Sequence, residues 1–293
     1  MIFLTNTVGK EENKMTYEDY ACLNVRIDRG VAFVTINHPP MNLLDAPLIQ
    51  ELDRIGTALE EDTNVRVVVF QSADPEFFIA HADVTMIQHL PQTVPPKGAT
   101  LGPFHRVLDR FRTMPKATIG KIEGRARGGG SEFLLSLDMR FGALGRAVLS
   151  QAEVAVGIIP GAGGTQRLPR LMGRARALEV LLGGCDVPAD LAERYGYINR
   201  ALPSEELTPF VERLAYQIAS FPAKAIALAK AAVDAAELPT IQGLIEEEHY
   251  FYQAMVTEQA QKRLARFLEI GLQTREEETK PLEDLYPKLA ACS

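Results

Sequence analysis

Residues 117–138 read Ala117-Thr118-Ile119-Gly120-Lys121-Ile122-Glu123-Gly124-Arg125-Ala126-Arg127-Gly128-Gly129-Gly130-Ser131-Glu132-Phe133-Leu134-Leu135-Ser136-Leu137-Asp138. Ala117–Ile122 has the length and apolar character of a buried strand, and Ser131–Leu137 is an apolar helical run opened by Gly128, Gly129 and Gly130. A strand feeding closely into a helix is the building block of an α/β protein. Glycines at such a junction let the backbone approach a neighbour or a ligand, and a helix start presents N–H groups that favour negative charge. Glu132 falls in the first turn. It reads either as a favourable first-turn acid at a close helix–strand crossing, or as a carboxyl for proton transfer whose pKa is raised by an apolar pocket or by other acids.

The same alternation extends upstream. Leu23, Val25 and Ile27 alternate with polar residues, and after Arg29-Gly30 comes Val31–Ile36, the pattern of a hairpin. Asp45 can cap a helix in which Leu48, Ile49, Leu52, Ile55, Ala58 and Leu59 form one apolar stripe. Val65–Phe70 reads as a second buried strand. The stretch from Asp74 to Gly98, punctuated by Pro75, Pro91, Pro95 and Pro96, is expected to be the longest loop and a mobile lid. A helix carrying Val107, Leu108 and Phe111 then leads into Ala117.

Downstream, Phe141 and Val148-Leu149 are expected strands around a turn at 142–146. From Gly173 the spacing predicts helices over 173–182, 188–195, 204–220, 222–235 and a long amphipathic one over 240–270. The expected organisation is a loose leader over 1–15, a mixed core over 16–200 and a helical region over 201–293.

Composition narrows the class. The chain has 293 residues, 46% hydrophobic and 24% charged, ample for a buried core and opposed to wholesale disorder. Its 31 basic against 38 acidic residues give −7, which opposes a general nucleic-acid or anionic-membrane surface. Cys22, Cys185 and Cys292 are too few and scattered for a disulfide framework or a zinc site, so a reduced, cytoplasmic setting is expected. No apolar run reaches the roughly 18 residues of a membrane span. Phe133 and Gln166 stand where the glycine clusters would need a final glycine for G-x-G-x-x-G. There is no Walker lysine, no H-E-x-x-H pair and no G-x-S-x-G elbow.

Two further segments carry candidate chemistry. Glu153 is followed by the apolar-and-glycine run Val154–Ile159 and a Pro160-Gly161 turn, so it is expected to be at least partly buried. It could work with Glu132 as an acid/base pair, or simply pair with Arg167, Arg170, Arg174 or Arg176. In Phe77-Phe78-Ile79-Ala80-His81-Ala82-Asp83-Val84, small residues after an aromatic pair admit a flat ligand, and Asp83 can cap a short helix. An ordinary strand-to-helix loop fits that segment as well.

Taken in order, F-x-A-x-A-D at 78–83, G-G-G-x-E-x-x-x-x-x-D at 128–138 and E-x-x-x-G-x-x-P-G-x-G-G-T-Q-R-L at 153–168 resemble the crotonase (enoyl-CoA hydratase/isomerase) superfamily. The resemblance implies a spiral of ββα units with a C-terminal helical trimerisation region, often as a dimer of trimers. It implies an oxyanion hole made by the N–H groups of Ala80 and Gly129 for an acyl-CoA thioester, with Glu132 and Glu153 as catalytic acids. Ala82, Asp83 and Gly161 fall at substrate-binding positions, and no metal or redox cofactor is called for, CoA being part of the substrate.

The implied activity is hydration of a 2-enoyl-CoA. The alternatives are isomerisation, thioester hydrolysis or decarboxylation on the same scaffold, or a non-catalytic scaffold or RNA-binding relative. The net charge counts against RNA and the two glutamates count against a dead scaffold. Three departures stand out. His81 occupies a usual glycine position, Ala152 replaces a usual proline, and no basic pair follows Phe267, leaving Lys262, Arg263 or Arg266 to meet CoA phosphates.

Overall fold

The computed structural model describes residues 17–235, 240–281, 284 and 288; the leader expected over 1–15 lies outside the described residues. The chain opens with β1 (Leu23–Asp28) and β2 (Val31–Ile36), an antiparallel hairpin in which Leu23 faces Ile36. Helix α1 (Ala46–Glu61) follows, its Asp45 side chain accepting from the Leu48 N–H as expected of an N-cap.

Three strand pairs then wind in succession. They are β3 (Val67–Ser72) with β4 (Phe77–Ile79), β5 (Ala117–Ile122) with β6 (Arg125–Arg127), and β7 (Met139–Ala143) with β8 (Val148–Ser150). After β4 come α2 (Val84–Gln88) and α3 (Pro103–Thr113), after β6 comes α4 (Gly129–Leu135), and after β8 a 3-10 turn (Glu153–Val156) and α5 (Gly164–Met172). The first strand of each pair enters a six-stranded sheet ordered β1-β2-β3-β5-β7-β10, and the second enters a four-stranded sheet ordered β4-β6-β8-β9. Here β9 is Val187–Pro188 and β10 is Arg200–Leu202, with α6 (Arg174–Gly183) and α7 (Ala189–Tyr195) before and after β9. The register advances in step, Val31 beside Val67 and Val67 beside Ala117, so each pair lies parallel to the last. This is a mixed α/β spiral of ββα turns.

The inner strands of the large sheet are buried on both faces, which explains why β2 and β3 are near-continuous apolar runs, whereas the edge strand β1 alternates. Val68 and Phe70 point to a core holding Phe78, Phe111 and Phe133, where the Phe70 and Phe133 rings meet edge-on at 5.0 Å. Val67 and Val69 point the other way, onto Leu207, Val211, Ala215 and Ala219 of α8 (Ser204–Ala219). Truncating Phe133 to alanine would remove the centre of the first core and cost about 3–5 kcal/mol.

Two expectations are corrected. The stretch 74–98 is not one loop: it contains β4, held by pairing with β6, and α2, capped by Asp83. The helix expected over 240–270 is two, α10 (Thr240–Met255) and α11 (Glu258–Glu269). Thr257 breaks it, extended at φ −71° and ψ 144° with its side chain accepting from the Ala260 N–H. The break turns α11 back so that Ala260, Leu264 and Phe267 pack on Val84, Val156 and Ile158. Helix α9 (Ala223–Asp234) precedes these, and α12 (Arg275–Glu278) follows.

Candidate active site

The glycine triplet places Glu132. Gly128 has φ +47° and ψ −124°, where a side chain is strained, and a Cβ there would sit 2.9 Å from Glu153 Oε1. A Cβ on Gly130 would fall 2.2 Å from the Ile79 carbonyl, so α4 crosses β4 in backbone contact. The close crossing and the acid are therefore not alternatives, because the crossing is what carries Glu132 inward, where it is 3% exposed.

One carboxylate oxygen of Glu132, Oε1, accepts from the backbone N–H groups of Ala162 and Gly164, both at 2.8 Å. The glycine-rich loop before α5 thus folds down onto it. Glu153 stands at the head of the 3-10 turn, beside Gly128. In the amide orientation that satisfies both ends, Gln151 donates to both Glu153 oxygens at 3.2 Å and accepts from Ser131 Oγ. Ser131 Oγ in turn meets Tyr197 Oη at 2.6 Å.

Withdrawal from water raises both carboxyls. Glu132 stands well above the ordinary carboxylate range, through burial first and then the negative fields of Glu153 and Glu247. Glu153 is pushed up to about 7, again by burial first; its own backbone N–H opposes the shift, Glu247 adds to it, and the His81 charge opposes it.

The third acid escaped the sequence reading. Glu247 lies on α10 and is 1% exposed. It accepts from the N–H groups of Gly163 and Thr165, at 2.5 and 2.8 Å, and from the Thr165 hydroxyl, with His105 Nε2 at 3.3 Å. It therefore caps α5 from another helix and fixes the loop that holds Glu132. One signal was available: Glu247 falls between Leu244 and Phe251 at helical spacing, an acid on an otherwise apolar stripe.

The amides near the pair need one correction. The Ala80 N–H is committed to the Met41 carbonyl at 3.3 Å, and Ala80 is fully buried. Two residues on, the Ala82 N–H has no acceptor among the described residues and faces α4, since a Cβ on Gly129 would lie 3.4 Å from it. Gly129 is the first residue of α4, so its own N–H has no intrahelical acceptor. Ala82 and Gly129, rather than Ala80 and Gly129, bring two available donors together.

Asp83 caps α2, accepting from the Thr85 N–H at 2.9 Å, and also accepts from Gln273 Nε2 at 2.9 Å. Gly161 lies beneath Phe251, whose ring a Cβ would meet at 2.7 Å. His81 turns away from the pair toward Glu278, its Nε2 2.7 Å from Oε1. Arg263 is bonded to the Ala155 carbonyl at 2.8 Å, tying α11 to the 3-10 turn, while Lys262 and Arg266 stand beside Glu258 and Glu269. Among the described residues no cluster of His, Cys, Asp and Glu has the arrangement of a metal site. A cavity of about 680 Å³ lies elsewhere, between Leu135, Leu137 and Met139 on one side and Ile226, Ala229 and Val233 of α9 on the other.

Two carboxyls held toward protonation beside two free amides can exchange protons with a substrate whose developing negative charge the amides stabilise. The family profile for enoyl-CoA hydratase/isomerase matches residues 26–276. The short-chain-enoyl-CoA hydratase of Clostridium acetobutylicum is 32% identical over 241 residues, 82% of this chain and 91% of that protein. The crotonyl-CoA hydratase of Syntrophomonas wolfei is 34% identical over 221 residues, 75% of this chain and 83% of its own length. A solved structure from Streptomyces avermitilis, provisionally named an enoyl-CoA hydratase, superposes with a TM-score of 0.84 at 39% identity, covering 93% of this chain and 99% of that one. By its sequence, its ββα spiral and these likenesses, the chain belongs to the enoyl-CoA hydratase/isomerase (crotonase) family.

Proposed function

We propose that this protein is an enoyl-CoA hydratase, a hydro-lyase adding water across the 2,3 double bond of an acyl-CoA thioester. The observation that carries the reading is the meeting of two carboxyls, both raised by burial, with the unbonded amides of Ala82 and Gly129. The thioester oxygen accepts from those two amides. As a water oxygen bonds to Cβ, a carboxylate takes its proton, the double-bond electrons move toward the thioester, and enolate charge builds on the held oxygen. The other carboxyl delivers a proton to Cα.

One of Glu132 and Glu153 takes the base role and the other the acid, and the two N–H groups on Glu132 Oε1 fix that carboxyl in place for either. The proton shared near neutrality belongs to the pair rather than to either residue. The addition balances through proton transfer alone, so it calls on no metal or redox cofactor, and CoA enters as part of the substrate.

The reading extends to a cytoplasmic homotrimer or dimer of trimers. Helix α9 supports assembly: no residue of it is buried, and it exposes Leu228 and Val233 beside the 680 Å³ cavity. No helix among the described residues is long and apolar enough to cross a membrane.

Incubating purified protein with crotonyl-CoA and following loss of the enoyl absorbance tests the activity. Turnover that falls at least about 100-fold in Glu132→Gln supports it. Absence of turnover with short, medium and aromatic enoyl-CoAs would refute it, and a monomer by light scattering would refute the assembly.

A further inference from the structure

The oxyanion pair has a third partner, distant in sequence. The C-terminal segment Gln273–Glu278 lies against both backbone stretches that supply the amides. On one side, His81 directly precedes Ala82. Its Nδ1 meets the Ala82 carbonyl at 2.8 Å and its Nε2 meets Glu278 Oε1 at 2.7 Å. A carbonyl only accepts, so Nδ1 is a donor. Facing a carboxylate, Nε2 is one too, and the ring is an imidazolium.

On the other side, Arg127 stands two residues before Gly129. Its Nη1 donates to the Glu278 carbonyl at 2.8 Å and approaches Oε2 at 3.5 Å, while Asp186 holds its other edge. Gln273 completes the contact, accepting from the Val84 N–H at 2.6 Å and donating to Asp83. Glu278 is 1% exposed and sits on α12, in no direct contact with Glu132 or Glu153 among the described hydrogen bonds. Asn42 and Leu44 also brace the 77–83 stretch, and the Arg127 N–H joins the two stretches directly by donating to the Ala80 carbonyl at 3.1 Å; Glu278 adds a side-chain bridge beyond that bond, nearer the two free amides.

We propose that Glu278 is a positioning residue: by bridging His81 and Arg127 it reinforces the backbone pairing of the two stretches, holds the Ala82 and Gly129 amides at their separation and keeps an imidazolium beside the oxyanion site. The inference rests on the proposed hydratase reading and adds to it a dependence on the chain's own C-terminal segment. The charged groups facing His81 are Glu278 from α12, Arg127 from β6, Asp83 from its own loop and Glu153 from the 3-10 turn. Burial favours the neutral ring, and the Glu278 carboxylate outweighs it to hold the imidazole above its ordinary range. Glu278 itself is held at about 2. The charged ring is thus favoured, and its charge favours ionisation of Glu153.

The test compares Glu278→Gln, Glu278→Ala, His81→Ala, the His81→Ala/Glu278→Ala double variant and the exposed neighbour Glu276→Gln. Turnover of crotonyl-CoA is read beside the thioester C=O stretch of bound butanoyl-CoA, a saturated probe that reports the hydrogen bonds of the hole without chemistry. Glu278→Ala and His81→Ala should each lower kcat about 10- to 100-fold with KM within about threefold, the size of effect expected of a misplaced group. Both should weaken the carbonyl red-shift, and the double variant should be no worse than either single, as for one connected unit. Glu278→Gln, which keeps the shape, should fall between, and Glu276→Gln should match wild type.

Unchanged kcat and an unchanged carbonyl stretch in folded Glu278→Gln and His81→Ala overturn the inference while leaving the hydratase reading standing. A wild type that red-shifts the bound carbonyl but turns over no enoyl-CoA overturns the hydratase reading, and the variants' carbonyl shifts then decide the positioning role alone. Multiplicative losses in the double variant also overturn it.

Discussion

Glu153 and His81 flank Gly128, one belonging to the pair with Glu132 and the other to the cluster with Glu278 and Arg127. Both groups of side chains are withdrawn from water, yet their carboxyls titrate in opposite directions. Glu132 and Glu153 are raised, the latter to about 7, whereas Glu278 is lowered to about 2. Burial pushes all three up, and the difference lies in the company each keeps. The pair shares its surroundings with a third acid, Glu247, while Glu278 faces an imidazolium and a guanidinium. A buried acid in direct contact with no cation keeps a proton to give, and a buried acid between two cations is fixed as an anion that holds them in place. One region is arranged to move protons and the other to stay still.

The largest effect that would sharpen this contrast is on rate. Glu132→Gln and Glu153→Gln should each lose at least about 100-fold in kcat on crotonyl-CoA. Their thermal midpoints at pH 7 should not fall, because each substitution removes a buried acid that forms no direct ion pair among the described residues. In the other region the order reverses. Glu278→Ala should lose about 3 kcal/mol in urea unfolding, since it leaves His81 buried without its anion and Arg127 with Asp186 alone. A Glu278→Ala protein as stable as wild type would break the comparison.

A smaller effect separates the two roles of Glu247. Glu247→Gln should cost about 1 kcal/mol through the weakened cap on α5. It should also move the acid limb of the pH–rate profile downward, since the negative field on Glu153 and Glu132 is reduced. A stable variant with an unmoved profile would show that the third acid leaves the pair untouched.

The smallest expected effect is in stability against pH. Glu153 and Glu132 bind protons more tightly folded than unfolded, so their contribution is complete below the ordinary value of 4.5; that of Glu153 is lost as pH rises through about 7, and that of Glu132 falls in the same direction. Glu278 contributes above 4.5, and that contribution is lost as pH falls toward about 2. Together these groups favour a maximum near pH 5. A few degrees of melting temperature should be lost between pH 5 and 8, and less in Glu153→Gln, as scanning calorimetry would read.

Much of the scaffold was legible in the chain. The apolar runs of β3 and β5, the Asp45 cap and the stripe of α1 are local patterns, and each formed as its pattern indicated, β3 starting two residues after the expected Val65. Helix α5 was harder to read, because it starts on Gly164 and contains Pro169, both poor helix residues, and forms under the cap that Glu247 supplies from α10. The split between α10 and α11 was missed because apolar spacing runs on through Thr257, where a side-chain cap competes with helix continuation. Ala80 and Ala82 are indistinguishable in the sequence as amide donors. Only the position of Met41, from the loop before α1, decides which N–H is already engaged.

The sequence alone determined the strand–helix rhythm, the glycines that bring α4 against β4, and the two glutamates as candidates, because periodicity, backbone freedom and residue type are properties of short segments. The tertiary structure decided which amide faces the site, that Glu247 braces the loop holding Glu132, and that Glu278 reaches His81 and Arg127. Those depend on groups between roughly 30 and 200 residues apart in the chain meeting in space, and the charge each carries depends on which neighbours replace the water it has lost.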